Sequence, residues 1–329
     1  MSRVAVLEGG RSLERGVSLR SGARVQDALE ALGHEVLPVD VGEDLVDVLR
    51  AAAPDACFVA LHGRDGEDGT VQELLEVLGM RYTGSGVGAC LRASDKVLAK
   101  HVLRDAGVAT PPWHAFTETA FRELGAGRAL GAIEEGLGFP LVVKPAAQGS
   151  ALGIRFARAA EDVPAALVAA FSYDRKVLLE RFVEGRDLAV GVLDGEPLPV
   201  VEAVPRDGSE YDFEARYQIG RTDFVCPADL PAPVMREAAA LARATWAALG
   251  LRGFARVDLM LDGATGELWV LEANPVPGLT ETSLLPQAAE AAGIGFTALV
   301  ERVLNLALSR PLIVSSRGSP RGTPGRGSP

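Results

Sequence analysis

The chain has 329 residues, of which 48% are hydrophobic, and its net charge is −11 at pH 7. A single hydrophobic core stops growing at about 250–300 residues, so we expect two or three domains. The negative charge argues against nonspecific binding of nucleic acid, and no run of about 18 uncharged apolar residues predicts a membrane span. The N-terminus starts with a strand pattern instead of a signal peptide, and the three cysteines lack metal-ligand spacing, so we expect a reduced, cytoplasmic protein.

The first third of the chain alternates strand and helix patterns. Apolar strands are predicted at 4–8, 35–39 and 56–63, and helices at 18–32, 43–52 and 69–79. This alternation is typical of a parallel, Rossmann-like sheet, in which ligands bind beyond the carboxyl ends of the strands. Two glycine-containing loops, 8–16 and 62–70, lie at such ends. We expect Glu67 and Asp68 in the second loop mainly to cap the helix that follows.

The remaining two thirds predict a second, smaller unit and a hairpin. Helices are predicted at 95–107, 233–250 and 294–308, and strands at 139–145 and 176–183 around a glycine loop at 147–154. Segment 205–227 lacks a core-like pattern, and a connection of that length is usually either functional or disordered. The Gly, Pro, Ser and Arg composition of 315–329 predicts a disordered tail.

Four polar side chains share one face of the predicted hairpin near the C-terminus. If its turn centres on Thr265, the numbers of cross-strand partners sum to 530, so Asp258 faces Glu272 and Arg256 faces Asn274. Residues two apart on a strand point to the same face. Two opposed carboxylates destabilise a sheet unless a cation lies between them, and oxygen-only ligands favour Mg²⁺. We therefore predict a Mg²⁺ site here; the alternative is that these side chains only solvate the sheet.

A phosphate site is predicted around Lys144 and the glycine loop that follows it. Two glycines bracket Ser150, and glycines let backbone N–H groups approach phosphate oxygens closely. An ordinary glycine turn is the alternative. Glu180 ends an apolar strand near Asp187, where an adenosine could bind, although composition alone makes both residues ordinary surface charges. His62 also ends an apolar strand, and a buried structural histidine is as consistent with that position as a substrate contact.

Many ordered motifs between residue 4 and about 308 together resemble the D-alanine–D-alanine ligases of the ATP-grasp superfamily. They are "GGRSLERGVSLRSG" (9–22), "LHGRDGEDGTVQ" (61–72), "YTGSGV" (82–87), "DK" (95–96), "VVKPAAQGSALGI" (142–154), "ERFVEGRD" (180–187), "YDFEARY" (211–217), "RVDLML" (256–261) and "LEANPVPGLTETSLLP" (271–286). Any one of these motifs alone is weakly specific, and the resemblance depends on all of them in this order.

The resemblance implies an α/β fold of the ATP-grasp type in three parts. A Rossmann-like substrate domain with a parallel sheet would span 1–95. Two α+β subdomains would sandwich ATP: a central one over 96–187, and a C-terminal one over 188–312 that carries the metal site and a lid loop over 205–227. The resemblance also implies a homodimer that acts on small molecules, in keeping with the cytoplasmic location and the lack of nucleic-acid or membrane partners expected from composition.

The resemblance further implies a reaction. ATP would phosphorylate the carboxylate of a first D-alanine, and the amine of a second would attack that acyl phosphate through a tetrahedral intermediate. The products would be D-alanyl-D-alanine, ADP and phosphate, with the dipeptide used for peptidoglycan precursors. Phosphoryl transfer of this kind needs charge neutralisation and positioning more than covalent help from the protein.

Matched motif by motif, the resemblance assigns residues to the metal and the nucleotide. Two Mg²⁺ ions, for which Mn²⁺ can substitute, would bind Asp258, Glu272 and Asn274. The nucleotide phosphates would bind Lys96, Lys144 and the loop residues Gly149, Ser150 and Ala151, and Arg216 would also bind the nucleotide. The adenosine would bind Glu180, Asp187 and the backbone of Arg181 and Val183.

The same matching assigns the two amino-acid sites. Glu14 and His62 would bind the first D-alanine, and Arg256 and Gly278 would stabilise the oxyanion. The carboxylate of the second D-alanine would bind Ser283 and Leu284. Hydrogen bonds from Ser150 and Tyr217 to Glu14 would close the lid and keep water from the acyl phosphate.

The chain departs from the family pattern at five positions, at none of which a metal ligand or the Lys144 charge is lost. They are Arg15 for a histidine, Ala151 for a serine, Asp187 for a glutamate, Arg216 for a lysine and Pro275 for a threonine. We expect activity to be kept, with differences in ATP affinity and lid closure.

Two other functions remain open from the sequence. One is an ATP-grasp ligase for a different second substrate, such as D-lactate, D-serine or a natural-product amino acid. Tyr217 favours the dipeptide, since in this family a phenylalanine there accompanies ester formation. The other is a nucleotide-binding regulatory protein without turnover, which the intact Lys144, Asp258 and Glu272 disfavour.

Overall fold

The computed structural model describes residues 1–206 and 222–311, and its strands form three sheets. The first sheet contains β1 (Arg3–Glu8), β2 (Glu35–Asp40) and β3 (Ala56–Val59), all parallel, in the order β2-β1-β3. Helices α1 (Arg15–Ala31), α2 (Leu45–Ala52) and α3 (Thr70–Val77) connect and follow these strands. The predicted parallel unit is confirmed, although β3 ends four residues earlier than expected. The residues released from it, 60–63, carry His62 to the edge of the sheet.

Two consecutive helices, α4 (Val87–Ser94) and α5 (Lys96–Asp105), follow this unit. Helix α4 was not expected from the sequence. Asp95 separates the two helices and caps α5, because its side chain accepts hydrogen bonds from the backbone of Val97 and Leu98 at 3.0 and 3.1 Å. This cap fixes the first turn of α5, from which Lys96 projects.

The second sheet is antiparallel, in the order β4-β7-β5-β6. Its strands are β4 (Trp113–Thr117), β5 (Leu141–Pro145), β6 (Arg155–Ala157) and β7 (Lys176–Arg181), and its helices are α6 (Glu118–Arg122), α7 (Leu130–Leu137) and α8 (Val163–Phe171). The sequence predicted β5 and β7 but not the other elements. Helix α8, "VPAALVAAF", is apolar on every face, so its sequence contains no helical periodicity to detect.

The third sheet is also antiparallel, in the order β10-β9-β8-β11-β12. Its strands are β8 (Gly185–Leu193), β9 (Glu196–Pro205), β10 (Thr222–Val225), β11 (Phe254–Asp262) and β12 (Leu268–Asn274). Helix α9 (Ala232–Leu249) packs on one face and α10 (Leu284–Ala291) on the other, and α11 (Phe296–Leu308) then returns to pack on α1. One hydrophobic core therefore joins the third sheet to the first.

The hairpin of β11 and β12 has the predicted register only in its site-proximal half. Asp258 pairs with Glu272 and Arg256 with Asn274, as expected. The register then shifts, and Leu259 pairs with Val270, so a β-bulge lies between the site and the turn. The prediction that partner numbers sum to 530 along the whole hairpin is therefore wrong for the turn half. A bulge adds one residue to one strand, which turn symmetry does not reveal.

Within the described ranges, no single helix is long and apolar enough to span a membrane. Helices α10 and α11 pass a length and composition test only as a pair bent by 105°. Both bury apolar side chains in the core, including Leu285 and Leu304, which are fully buried.

Candidate active site

A cavity of about 490 Å³ lies between the carboxyl edge of the first sheet, the glycine loop after β5 and the end of the β11–β12 hairpin. It collects residues that are far apart in the sequence. The predicted site residues that line it are Glu14, His62, Lys96, Gly149, Ser150, Arg256, Glu272, Asn274, Gly278, Ser283 and Leu284.

Glu14 joins the first sheet to the glycine loop. It directly precedes α1, is almost fully buried, and accepts a hydrogen bond from the hydroxyl of Ser150. Glycines let the backbone of two loops approach it: a Cβ at Gly63 would overlap the Glu14 carboxylate, and one at Gly149 would lie 3.1 Å from Glu14 Oε2. The structure therefore brings Glu14 and Ser150, 136 residues apart, to one point in the cavity.

The glycine loop is held in an uncommon backbone conformation. Ser150 and Ala151 have φ of +53° and +56°, in the left-handed region that non-glycine residues occupy at a cost of about 1–3 kcal/mol each. Lys96 anchors the loop by donating a hydrogen bond of 2.8 Å from Nζ to the carbonyl of Gln148. Strain of this kind is typical of loops that a ligand or a catalytic arrangement requires.

The two carboxylates on the polar face of the hairpin pair with cations. Arg256 contacts Asp258 through two parallel bonds of 2.6 and 2.7 Å, and Lys96 Nζ lies 3.1 Å from Glu272 Oε2. Asn274 Oδ1 accepts a hydrogen bond of 2.9 Å from the backbone of Val276, a turn that spans Pro275. Each carboxylate is thus balanced by its own cation. The carboxylate and amide oxygens on this face have the chemistry that Mg²⁺ prefers.

The described residues contain no group of three or more His, Cys, Asp or Glu side chains placed to hold one metal ion. The predicted metal set does not conflict with this finding, because its third member, Asn274, is an amide. Two carboxylates and an amide are a typical partial shell for Mg²⁺, which keeps several waters and usually binds substrate phosphates as well.

His62 connects the first sheet to the loop after β12. Its Nδ1 lies 3.0 Å from the carbonyl of Val276, and its Nε2 lies 2.8 Å from Ser21 Oγ, which accepts a hydrogen bond from the backbone of Leu279. Burial lowers the pKa of the imidazole to about 4, so the ring is neutral at physiological pH. Nδ1 therefore donates to Val276 and Nε2 accepts from Ser21. Both nitrogens are engaged within the protein, where they hold the 276–279 loop in place.

The loop after β12 ends at Ser283, which precedes α10 and whose hydroxyl is held in place by hydrogen bonds. Ser283 Oγ lies 2.8 Å from Thr280 Oγ1 and accepts a hydrogen bond of 3.0 Å from the Thr280 backbone. A Cβ at Gly278 would lie 2.6 Å from Ser283 Oγ, so only glycine fits there without a rearrangement. Arg24 on α1 donates a hydrogen bond of 2.6 Å to the carbonyl of Leu279 and so ties the loop to the first sheet.

A second, smaller cavity of about 70 Å³ lies between the second and third sheets. The residues that line it include four that were predicted to bind nucleotide or metal: Lys144, Asp187, Asp258 and Glu272. Glu272 and Leu284 line both cavities, so the two spaces are adjacent.

Glu180 is buried beside the second cavity and contacts two lysines, Lys100 and Lys144. Burial raises the pKa of its carboxyl, but the two ammonium groups outweigh this effect and leave the pKa below its ordinary value. Sequence reasoning assigned no role to Lys100. Lysines are rare in this chain, at only four of the 33 basic residues, and this rarity could have drawn attention to Lys100.

The backbone predicted to bind adenine follows Glu180. The Arg181 N–H donates to the carbonyl of Pro112 at 3.0 Å, and the Arg181 guanidinium lies 5.0 Å from the centre of the Trp269 ring. Val183 is buried just beyond the end of β7. The Arg181 N–H is therefore already bonded within the protein.

Glu67 does not have the capping role that the sequence suggested. Asp68 accepts a hydrogen bond of 3.0 Å from the Thr70 backbone at the start of α3, whereas Glu67 points into the large cavity, with its Oε1 3.8 Å from His62 Nδ1. Burial and the negative charge of Glu14 raise the pKa of Glu67 to about 8. A carboxyl beside the site is therefore largely protonated at neutral pH.

We expect Glu67→Gln to flatten the pH dependence of stability. The carboxyl ionises near pH 4.5 in the unfolded chain and near pH 8 in the folded one, so its stabilising contribution, full below pH 4.5, is lost as pH rises to about 8. The side chain keeps 15% exposure, so we expect a contribution of about 2 kcal/mol rather than the full shift. Urea unfolding from pH 5 to 8.5 would measure it. Parallel curves for the two proteins would contradict the assignment.

The structure accounts for one departure from the family pattern, and one other lies outside the described residues. Arg15 makes a two-bond ion pair with Asp40 at the end of β2, at 2.6 and 2.5 Å, and so closes the first glycine loop. Arg216 and Tyr217 fall within 207–221, which the structure does not describe. At the base of that segment, Arg206 and Asp223 form an ion pair across β9 and β10.

Comparison with known proteins supports the resemblance to D-alanine–D-alanine ligases over nearly the whole chain. Family models described as D-ala D-ala ligase N-terminus and C-terminus match residues 47–85 and 102–305. A D-alanine–D-alanine ligase of Geobacter sulfurreducens is 43% identical over 319 residues, 97% of each chain. One from Desulforudis audaxviator is 45% identical over 314 residues, 94% of this chain and 99% of the other.

Solved structures agree with the sequence comparisons. A crystal structure of D-alanine–D-alanine ligase from Bacillus anthracis is 32% identical, with a TM-score of 0.81 over 94% of this chain and 98% of the other. The same enzyme complexed with ATP is 31% identical, with a TM-score of 0.79 and equal coverage. The expected ATP-grasp fold class is confirmed. This chain belongs to the D-alanine–D-alanine ligase family of ATP-dependent enzymes.

Proposed function

We propose that this chain joins two D-alanines into D-alanyl-D-alanine with ATP, releases ADP and phosphate, and supplies the dipeptide for peptidoglycan precursors. The observation that carries the proposal is the convergence of Glu14, Ser150, Arg256 and Gly278 around one cavity, next to a second cavity lined by Lys144 and three carboxylates. We assign the substrates from membership of the family. The relatives from two bacteria and the solved structures all carry the name of this ligase.

The amino-acid sites follow from the chemistry of the large cavity. Glu14 offers a carboxylate to the ammonium of the first D-alanine, and Ser150 keeps that carboxylate oriented. Arg256 and the backbone of Gly278 line the same cavity and would stabilise the oxyanion, because fixed donors act mainly on the transition state. Ser283 and Leu284 then bind the second D-alanine. His62 acts by holding the 276–279 loop, since both of its ring nitrogens are bonded within the protein.

The nucleotide would lie between the second and third sheets. Lys96, Lys144 and the loop residues Gly149, Ser150 and Ala151 supply donors to its phosphates, and Glu180, Arg181, Val183 and Asp187 surround its adenosine. Typical ligand pockets measure about 300–1,000 Å³, whereas the second cavity measures about 70 Å³. We therefore expect the two sheets to move apart when the nucleotide binds.

Asp258, Glu272 and Asn274 would hold two Mg²⁺ ions, for which Mn²⁺ can substitute. Bound there, the metal would neutralise the charge of the transferred phosphoryl group. Arg256 and Lys96 balance the same carboxylates in the structure, at 2.6 and 3.1 Å. We propose that both cations exchange these partners for the oxyanion and the phosphates when the carboxylates bind metal.

The proposed organisation has three parts: a substrate domain over 1–95, a central subdomain over 96–187 and a C-terminal subdomain over 188–312, whose first strand, β8, begins at Gly185. We also propose a cytoplasmic homodimer without nucleic-acid or membrane partners. The net charge of −11 supports the absence of nucleic acid. Light scattering during size-exclusion chromatography would test the dimer.

The test of the activity is phosphate release from Mg²⁺-ATP in the presence of D-alanine. D-alanine would be supplied alone and then paired with L-alanine, D-serine or D-lactate, with every product identified by mass. We expect release that requires D-alanine and yields D-alanyl-D-alanine. Release only with another partner would keep the reaction type and change the second substrate, whereas ATP binding without release under any condition would contradict the proposed activity.

A further inference from the structure

Lys100 is a fully buried lysine on α5, one helical turn after Lys96. Its ammonium contacts three acceptors: the hydroxyl of Thr110, the carbonyl of Pro111 at 3.3 Å, and the carboxylate of Glu180. An ammonium has three N–H donors, so these contacts use all of them. Lys100 therefore has no donor left for a ligand and lines neither cavity.

Glu180 divides its two oxygens between two lysines. Oε1 contacts Lys100 and Oε2 contacts Lys144. The carboxylate is 1% exposed and Lys144 is 7% exposed, so water screens these charges weakly. Of the two lysines, Lys144 lines the second cavity, where the nucleotide is proposed to bind. The cluster has two positive charges and one negative charge, and within it only Lys144 lines that cavity, together with the carboxylates Asp187, Asp258 and Glu272.

We propose that Lys100 is a positioning residue for nucleotide binding: it takes up half of the Glu180 carboxylate and thereby leaves the charge of Lys144 available to the phosphates. Without Lys100, Glu180 and Lys144 would form a one-to-one pair, and their charges would cancel toward the cavity. Lys100 also fixes the orientation of Glu180. This inference rests on the proposed nucleotide site and adds a residue that does not touch the nucleotide.

A purely structural role makes a different prediction. Replacing buried charges by an apolar side chain of similar volume changes stability by removing desolvation costs and contacts. If Lys100 had only this structural role, the effect of replacing it on ligand affinity would be the same whether or not residue 180 is charged. Charge compensation does have that dependence, since a neutral residue at position 180 leaves Lys144 unpaired whether or not Lys100 is present.

The test is a double-mutant cycle of Lys100→Met and Glu180→Gln, read out by calorimetric binding of Mg²⁺-ATP and of tripolyphosphate. Tripolyphosphate has no adenosine, so loss of an adenine contact at Glu180 does not affect its binding. We expect Lys100→Met alone to weaken both ligands by about tenfold or more and the KM for D-alanine to change less than about twofold. In the Glu180→Gln background, adding Lys100→Met should change tripolyphosphate affinity by less than about threefold.

Lys176→Met is the matched control. Lys176 lies on β7 like Glu180 and forms an ion pair of 2.5 Å with Asp95, but it is 37% exposed and lines neither cavity. We expect its affinity for both ligands to equal that of the original protein. If Lys100→Met does not fold, the double variant, which leaves no uncompensated carboxylate, replaces it and should bind tripolyphosphate within about threefold of the original protein.

Three results would overturn the inference. They are an equal loss of affinity from Lys100→Met in both backgrounds, unchanged affinity in Lys100→Met, and a loss of more than about tenfold in the double variant. Failure of the original protein to bind Mg²⁺-ATP would instead contradict the proposed function. The two failures are therefore distinguishable.

Discussion

Replacing Glu272 by glutamine is expected to lower kcat by about a thousandfold while the protein stays folded. Glu272 lines both cavities and faces Asp258 across the hairpin, so its charge acts where the phosphoryl group would be transferred. An amide keeps the shape of the side chain but removes the charge that holds a divalent ion and balances Lys96 at 3.1 Å. The measurements are steady-state kcat and the affinity for Mn²⁺ in the presence of ATP, followed by paramagnetic resonance.

Glu267→Gln provides the matched control for this substitution. Glu267 precedes β12 in the same hairpin but is exposed at the turn. We expect wild-type kcat and Mn²⁺ affinity from it. Retention of kcat within about tenfold, or of full Mn²⁺ affinity, in Glu272→Gln would show that this carboxylate is not a metal ligand.

Replacing Gly278 by alanine is expected to lower kcat/KM for the second D-alanine by about a hundredfold, with ATP affinity unchanged. The added Cβ would lie 2.6 Å from Ser283 Oγ, closer than any real contact of a Cβ. Thr280 holds the hydroxyl of Ser283, and Ser283 directly precedes α10. The clash therefore displaces either Ser283 or the loop. Both lie where the second substrate and the oxyanion are proposed to bind. Steady-state kinetics with each substrate varied in turn would separate these effects.

Gly131→Ala is the control for a general cost of replacing glycine. Gly131 lies in α7, and a Cβ there would meet nothing within 4 Å. We expect unchanged kinetics and a gain in stability of about 0.5–1 kcal/mol, since alanine suits a helix better than glycine does. Wild-type kinetics in Gly278→Ala would contradict the proposed role of the loop.

The shared face of the hairpin could be predicted because it depends only on local rules. Side chains two apart on a strand point the same way, and a turn between two apolar strands sets which residues face each other. The pairs Asp258–Glu272 and Arg256–Asn274 follow from these rules. The bulge beyond Asp258 did not follow, because an extra residue in one strand changes the register without altering the apolar pattern.

The cations that balance the hairpin carboxylates were only partly foreseeable. Arg256 lies two residues from Asp258, so their proximity was expected from the strand period. Lys96 reaches Glu272 from helix α5, across 176 residues of sequence, and only packing of that helix against the hairpin brings them together. For the same reason, the position of Glu67 in the cavity and the contacts of both His62 nitrogens were not evident from the chain.

Residues near one another in the chain account for the alternation of strands and helices, the polar face of the hairpin and the ordered motifs of the family, so these features could be predicted. Which charges neutralise one another became evident only in the folded protein. Lys100, Lys144 and Glu180 come from three separate elements, and their ionisation depends on burial and on distances of a few ångströms. Those quantities are properties of the packed protein, and no spacing along the chain encodes them.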